Sequence, residues 1–348
     1  MAPLKSVSLI AILITVAFAA DPAPHELSVG DKFAATDTLA CDDEPNADAA
    51  ECLKTLSWEP GKFMVQLEAA QPGNGDFLVR FSSPRPIGDR VNDQVAMEWY
   101  AARDAKGVIR SARAVVIVHE SARSMPVGRM IARSLNWQGL HTFLIHLPNY
   151  GARRAPGSPS SYERILPMMQ QGVADVRRAR DAVAALPQVD GSVVGLEGTS
   201  LGGFVTATVA GLDRGYDRTF ILLAGGNIAD VILHGSRDAA KVHEKLRASG
   251  LTDEQIQEAA HRIEPLRLAH RINPDTTWLF SGELDTVVPP KNSRALAKAA
   301  KLPKDHHVEF AADHYLGIVY LPAAVMQIAE RMGVTPVAVP AATVKASP

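Results

Sequence analysis

Ser192-Val193-Val194-Gly195-Leu196-Glu197-Gly198-Thr199-Ser200-Leu201-Gly202-Gly203-Phe204-Val205-Thr206-Ala207-Thr208-Val209-Ala210 decides the fold. Its first six residues are short, β-branched and apolar, the pattern of a buried strand. The residues from Gly203 onward read as a buried helix. Between them stands Gly-x-Ser-x-Gly, which puts Ser200 on a sharp strand-to-helix turn with its hydroxyl exposed. Small residues flank the serine because a side chain at either position would clash in so tight a turn.

Outward from this turn the chain alternates strand and helix. Ala114 to Val118 is a continuous apolar run and reads as a central strand. A helix follows through Gly128 to Leu135, then a strand at Thr142 to His146. Gly172 to Ala185 is helical, with Arg177, Arg178 and Arg180 on its polar side. Arg218 to Leu223, Thr277 to Phe280 and His307 to Phe310 are further strands, and Tyr315 to Met332 reads as a closing helix. Earlier, Lys62 to Leu67, Phe77 to Phe81 and Gln94 to Ala101 alternate in polarity between turn signals and suit an antiparallel opening. The expectation is an α/β fold: a mostly parallel central sheet with helices on both faces. A charged helical insertion, about 228–270, precedes the strand at Thr277; within it Thr252-Asp253-Glu254-Gln255 matches a capping box. The chain divides into 1–19, a polar segment 20–60, one domain over 61–332, and a Pro/Val/Ala-rich tail over 333–348 that reads as disordered.

Serine needs a base to take its proton, and the base needs a carboxylate to fix its tautomer. Asp285 lies in the loop after Thr277-Trp278-Leu279-Phe280, before Val287-Val288-Pro289-Pro290, and is favoured as that acid over Glu283. His314 lies just beyond the last strand, whereas His306 and His307 precede it. The order Ser200, Asp285, His314 is the one such a sheet requires. Two N–H groups must also meet the developing oxyanion. Leu201 supplies one at the helix start. Ser121, in the loop His119-Glu120-Ser121-Ala122, supplies the other, with Glu120 as runner-up.

This set resembles the α/β-hydrolase family, and within it the dienelactone-hydrolase and acetyl-esterase-like branch. The resemblance runs from about Val65 to Met332. It rests on Val118-His119-Glu120, Asp175 to Ala179, Gly198 to Gly203, Gly282 to Pro289, and Asp313-His314. It implies a serine hydrolase acting on carboxylic esters without cofactor or metal, on a small-molecule, glycan or lipid ester. The same groups would serve an amidase or acyltransferase, and a non-catalytic binding protein of this fold is the alternative from another class. The family commonly has glycine where Glu120 stands, which places a carboxylate at the rim of the site. Pro148-Asn149-Tyr150-Gly151-Ala152-Arg153-Arg154 follows a strand at the same sheet end. Tyr150, Arg153 and Arg154 are therefore expected to line the pocket and favour an anionic substrate.

Composition agrees with an ordinary globular chain: 348 residues, 47% hydrophobic, 21% charged. A net charge of −2 gives no sign of a general nucleic-acid binder. Lys5, the apolar run Ser8 to Phe18, and Ala17-Phe18-Ala19 read as a signal peptide with its cleavage site, so the protein is expected to be secreted or periplasmic. No later segment is long and apolar enough to span a membrane. In that compartment the only two cysteines, Cys41 and Cys52, are expected to pair. They lie in an acidic stretch, Asp42, Asp43, Glu44, Asp48 and Glu51, that reads as a solvated loop.

Overall fold

The computed structural model describes residues 26–154 and 165–335. The signal-peptide reading and the tail from residue 336 lie outside the described residues. Ten strands form one sheet: β1 (Lys32–Thr36), β2 (Lys62–Ala69), β3 (Phe77–Ser82), β4 (Gln94–Tyr100), β5 (Ala112–Val118), β6 (His141–Ile145), β7 (Val189–Thr199), β8 (Arg218–Leu222), β9 (Thr277–Gly282) and β10 (His307–Phe310). Their spatial order is β1-β2-β3-β4-β6-β5-β7-β8-β9-β10. The pairs from β1 to β4, and β4 with β6, are antiparallel. From β6 to β10 every pair is parallel.

Parallel strands need crossover helices, and burying both faces demands apolar residues at every position. β5 shows how this is met. Ala114, Val116 and Val118 pack on one face, with α3 (Ile165–Ala184) and α4 (Leu201–Asp213). Val115 and Ile117 pack on the other, with α2 (Pro126–Trp137) and α9 (Leu321–Arg331). The alternation is the ordinary period of a strand. α8 (Pro290–Ala299) joins α4 on the first face through Leu296 against Ile221 and Leu279. The insertion forms α5 (Ile228–His234), α6 (Asp238–Ala248) and α7 (Asp253–His261). Thr252 closes its capping box with Gln255 in both directions. Among the described residues no helix is long and apolar enough to cross a membrane.

Three expectations are corrected. Residues 26–60, read from the sequence as polar and irregular, carry regular structure: besides β1 they form α1 (Ala47–Leu56). Asn46 caps this helix through Asp48 and Ala49 N–H, and Ala49, Cys52, Leu53 and Leu56 turn inward. The expected closing helix begins later. Leu316–Tyr320 is a 3-10 turn, and α9 starts at Leu321 with Pro322 in its first turn, where a missing N–H costs nothing. Cys41 and Cys52 are not paired. Cys52 faces inward from α1, 4.0 Å from the Arg262 carbonyl, while Cys41 stays exposed on the preceding loop. Burial pushes the Cys52 thiol up to about 11.

The segment also changes the environment of α3. Arg177 and Arg178 are buried beneath it rather than solvated. Arg178 pairs with Asp37 just after β1. Arg177 pairs with Asp213 at 2.6 Å and Asp181 at 3.1 Å, and donates to the Thr38 hydroxyl at 3.0 Å. The acidic stretch is partnered as well. Glu44 accepts from Arg271 at 2.8 Å, and that bond, with the Asn46 N–H, holds its carboxyl at about 2. Asp48 meets Arg267 at 2.8 Å.

Removing one partner of a buried pair leaves the other charge uncompensated, which costs about 3–5 kcal/mol. Asp37→Ala strands Arg178 and is expected to lower the urea-unfolding free energy by about that amount. Asp42→Ala, on the exposed loop, should fall within about 0.5 kcal/mol of wild type. Equal effects from the two substitutions would refute the buried tie.

Candidate active site

Parallel strands bring their C-terminal ends to one edge, where this fold places its ligands. Val118 of β5 pairs with Gly198 of β7, Thr199 with Leu222 of β8, Leu222 with Phe280 of β9, and Gly282 with Phe310 of β10. That register lines up the loops after β5, β7, β9 and β10.

Ser200 sits on the turn between β7 and α4 at φ 54°, ψ −114°. A non-glycine residue seldom adopts a positive φ, and strain of this kind collects at functional sites. Packing enforces it. A Cβ on Gly198 would collide with the Thr206 hydroxyl and the Gly202 carbonyl. One on Gly202 would collide with the Val118 carbonyl. The turn is further held by Ser200 N–H donating to Leu222 O at 2.8 Å.

Asp285 lies beyond the end of β9 and is buried, whereas Glu283 is exposed. Its Oδ1 accepts from Val287 and Val288 N–H at 2.8 and 2.9 Å. Its Oδ2 lies 2.7 Å from His314 Nδ1, and His314 Nε2 lies 3.0 Å from Ser200 Oγ. With a carboxylate at Nδ1, the ring proton sits there and Nε2 accepts from the serine hydroxyl. The structure thus brings Ser200, His314 and Asp285 into one hydrogen-bonded chain.

α4 begins at Leu201, so its N–H is among those no helical carbonyl can satisfy. Ser121 lines the cavity before Ser200. The loop that carries it is pinned by His119. The buried ring donates from Nδ1 to Glu120 O at 2.6 Å and accepts Leu147 N–H at Nε2 at 3.1 Å. Burial pushes His119 down to about 3, so it stays neutral. The reading of the sequence gave His119 no role; a strand-end histidine beside the turn was the available signal.

Glu120 reaches the cavity wall, but its carboxylate is already engaged. It accepts Val127 and Gly128 N–H at 3.1 and 3.0 Å, capping the positive end of α2. Tyr150 does line the cavity, its ring 4.5 Å from that of His119 and its hydroxyl donating to Ser121 O at 3.2 Å. Arg153 does not. It is fully buried beneath the loop, paired with Asp175 at 2.7 Å and donating to the Asn92 and His146 carbonyls. Arg154 is exposed and also lies outside the cavity lining. Cations reach the cavity from the insertion instead. Asp238, Lys241, Val242 and Lys245 share one face of α6 and form one wall. Tyr315 joins that wall to the base: it follows His314, and its hydroxyl donates to Asp238 at 2.7 Å.

Glu197 is wholly buried beneath the turn. One oxygen accepts from the Thr199 hydroxyl at 2.7 Å, and the other has no partner among the described residues. Burial pushes its carboxyl up to about 8.

Residues 165–317 match the profile of the prolyl oligopeptidase family of peptidases, a span that contains Ser200, Asp285 and His314. The fold is similar to that of an acetyl xylan esterase from Paenibacillus sp. R4, with TM-score 0.58, 16% identity, and coverage of 84% of this chain and 96% of that one. It is also similar to acetyl xylan esterase 1 from Thermoanaerobacterium sp. JW/SL YS485, with TM-score 0.55, 15% identity, and coverage of 85% and 96%. A 2,6-dihydroxy-pseudo-oxynicotine hydrolase aligns at TM-score 0.52 and 16% identity over 71% of this chain and 68% of its own. No curated protein matches in sequence. The chain has the α/β-hydrolase fold. Within that fold it is a serine hydrolase.

Because folding raises the Glu197 pKa, the folded chain keeps a proton that the unfolded chain releases. Stability therefore falls as pH rises from the ordinary carboxylate range toward about 8. Glu197→Gln, which keeps an acceptor for Thr199, should melt higher than wild type at pH 8 and close to it at pH 4.5. A melting-temperature difference independent of pH would show that Glu197 is not titrating as described.

Proposed function

We propose that the protein is an exported hydrolase of carboxylic esters. The observation that carries the reading is the hydrogen-bonded chain from Ser200 Oγ through His314 to Asp285, on a strained turn that opens into a cavity. Ser200 Oγ attacks the ester carbonyl while His314 Nε2 takes the hydroxyl proton. Asp285 orients His314 and stabilises the imidazolium. Leu201 and Ser121 N–H groups receive the oxyanion, where one such donor is worth about 10²–10³ in kcat. Collapse returns the proton to the leaving alcohol and leaves an acyl-Ser200 ester. Water, deprotonated by the same histidine, releases the acid. Every bond change is carried by these side chains and water.

The acetyl xylan esterases of similar fold support an ester as the scissile bond. The prolyl oligopeptidase match favours a second reading, an amide bond cleaved by the same groups. Comparing p-nitrophenyl esters with peptidyl p-nitroanilides separates the two.

Ser200→Ala removes the nucleophile and little packing, so ester turnover should fall by about 10⁴-fold or more, while the melting curve is kept. A fluorophosphonate should label the wild type and not the variant. Unchanged turnover in purified Ser200→Ala would refute the mechanism. Export predicts a mature N-terminus at about Ala20, read by sequencing the secreted or periplasmic protein; a retained Met1 in that fraction would refute cleavage.

A further inference from the structure

The cavity beside Ser200 is much larger than the triad needs. It encloses about 1000 Å³, the top of the range for small-molecule sites. Its walls are unequal. The polar groups of α6 stand on one side, with Lys241 tied to Asp238 at 3.0 Å. Opposite them the cavity runs between α2 and α9 over the ends of β9 and β10. There it is lined mostly by Val127, Ile131, Leu321, Ala324, Phe280 and Phe310, with Gln327 of α9 and Glu309 of β10 as polar neighbours. The rim continues in the same character. Ile318 and Tyr320 line the cavity, while Leu316 and Val319 of the same turn are 60% and 70% exposed.

Resting on the ester-hydrolase reading, we infer that the substrate is an ester carrying a long hydrocarbon chain, and that this chain lies in the apolar slot between α2 and α9. An acetyl group would leave nearly all of the slot unfilled. A linear chain displaces water along its whole length, and each methylene buried in the transition state raises kcat/KM roughly fourfold. Ala324 of α9 is buried and lines the cavity, so a larger side chain there would take up slot volume.

The test uses the purified full chain and two ester series, p-nitrophenyl acylates from acetate to dodecanoate and alkyl acetates from ethyl to dodecyl, kept below micelle formation. In at least one series kcat/KM should rise at least about 50-fold by the octyl length, short of the full methylene gain. Ala324→Phe should then lower the ratio of kcat/KM for the octyl substrate to that for the shortest ester at least about 10-fold, as expected when buried methylenes are displaced. Ala323→Phe, from the exposed flank of the same wall, provides the same readout if the buried substitution does not fold. Flat profiles in both series, or equal losses on short and long esters in a folded variant, overturn the inference. If Ser200 is still labelled by a fluorophosphonate and acetate is turned over, only the chain-length inference fails. Absence of both overturns the ester-hydrolase reading with it.

Discussion

Everything at the catalytic edge depends on a contact that leaves no room for a methyl group. α4 approaches the ends of β5 and β7 so closely that a Cβ at Gly198 or Gly202 would overlap backbone or side-chain atoms. That approach forces Ser200 into a positive φ. It also points the first turn of α4 at the cleft. The strain is stored in one residue, and the sheet on one side and the buried helix on the other hold it. Loosening the helix by a few tenths of an ångström would shift both the hydroxyl and the adjacent N–H.

Around that contact, polar groups are used to fix loops rather than to face solvent. His119 is kept neutral and spends both ring nitrogens on backbone. Glu120 spends its carboxylate on the start of α2. Arg153 locks the loop after β6 from below. Each buried charge or ring satisfies a loop that could not form a regular ladder. The rim of the cleft is therefore rigid on the sheet side, and the wall that varies in character is the one supplied by α6 and the turn before α9.

Most of the architecture was legible because it rests on local patterns. Ala114 to Val118 and Phe143 to Ile145 are apolar without interruption, and only a strand buried on both faces tolerates that. Ser200, Asp285 and His314 could be placed because each follows a strand, and strand ends gather at one edge. What escaped were relations between distant segments. Ala49, Cys52, Leu53 and Leu56 have helical spacing, so α1 was readable in principle, but its acidic flank masked it. Nothing near Arg153 in sequence announces Asp175 or the Asn92 carbonyl. Cys41 and Cys52 lie close along the chain, yet one belongs to a helix face turned inward. The face of α6 that meets the cleft has regular spacing too, but which side it presents depends on the tie from Tyr315 to Asp238.

The strap formed by β1 and α1 limits where this polypeptide can be cut or rejoined. Asp37 finds Arg178 141 positions later, and Asp48 finds Arg267 219 positions later. The earliest described residues are thus fastened to α3 and to the end of the insertion. Trimming the chain to the sheet beginning at β2 would strip partners from Arg177, Arg178, Arg267 and Arg271 and uncover an apolar helix groove at once. A shortened version would lose solubility, and a fusion partner is better attached ahead of residue 26 than at the polar loop near residue 60.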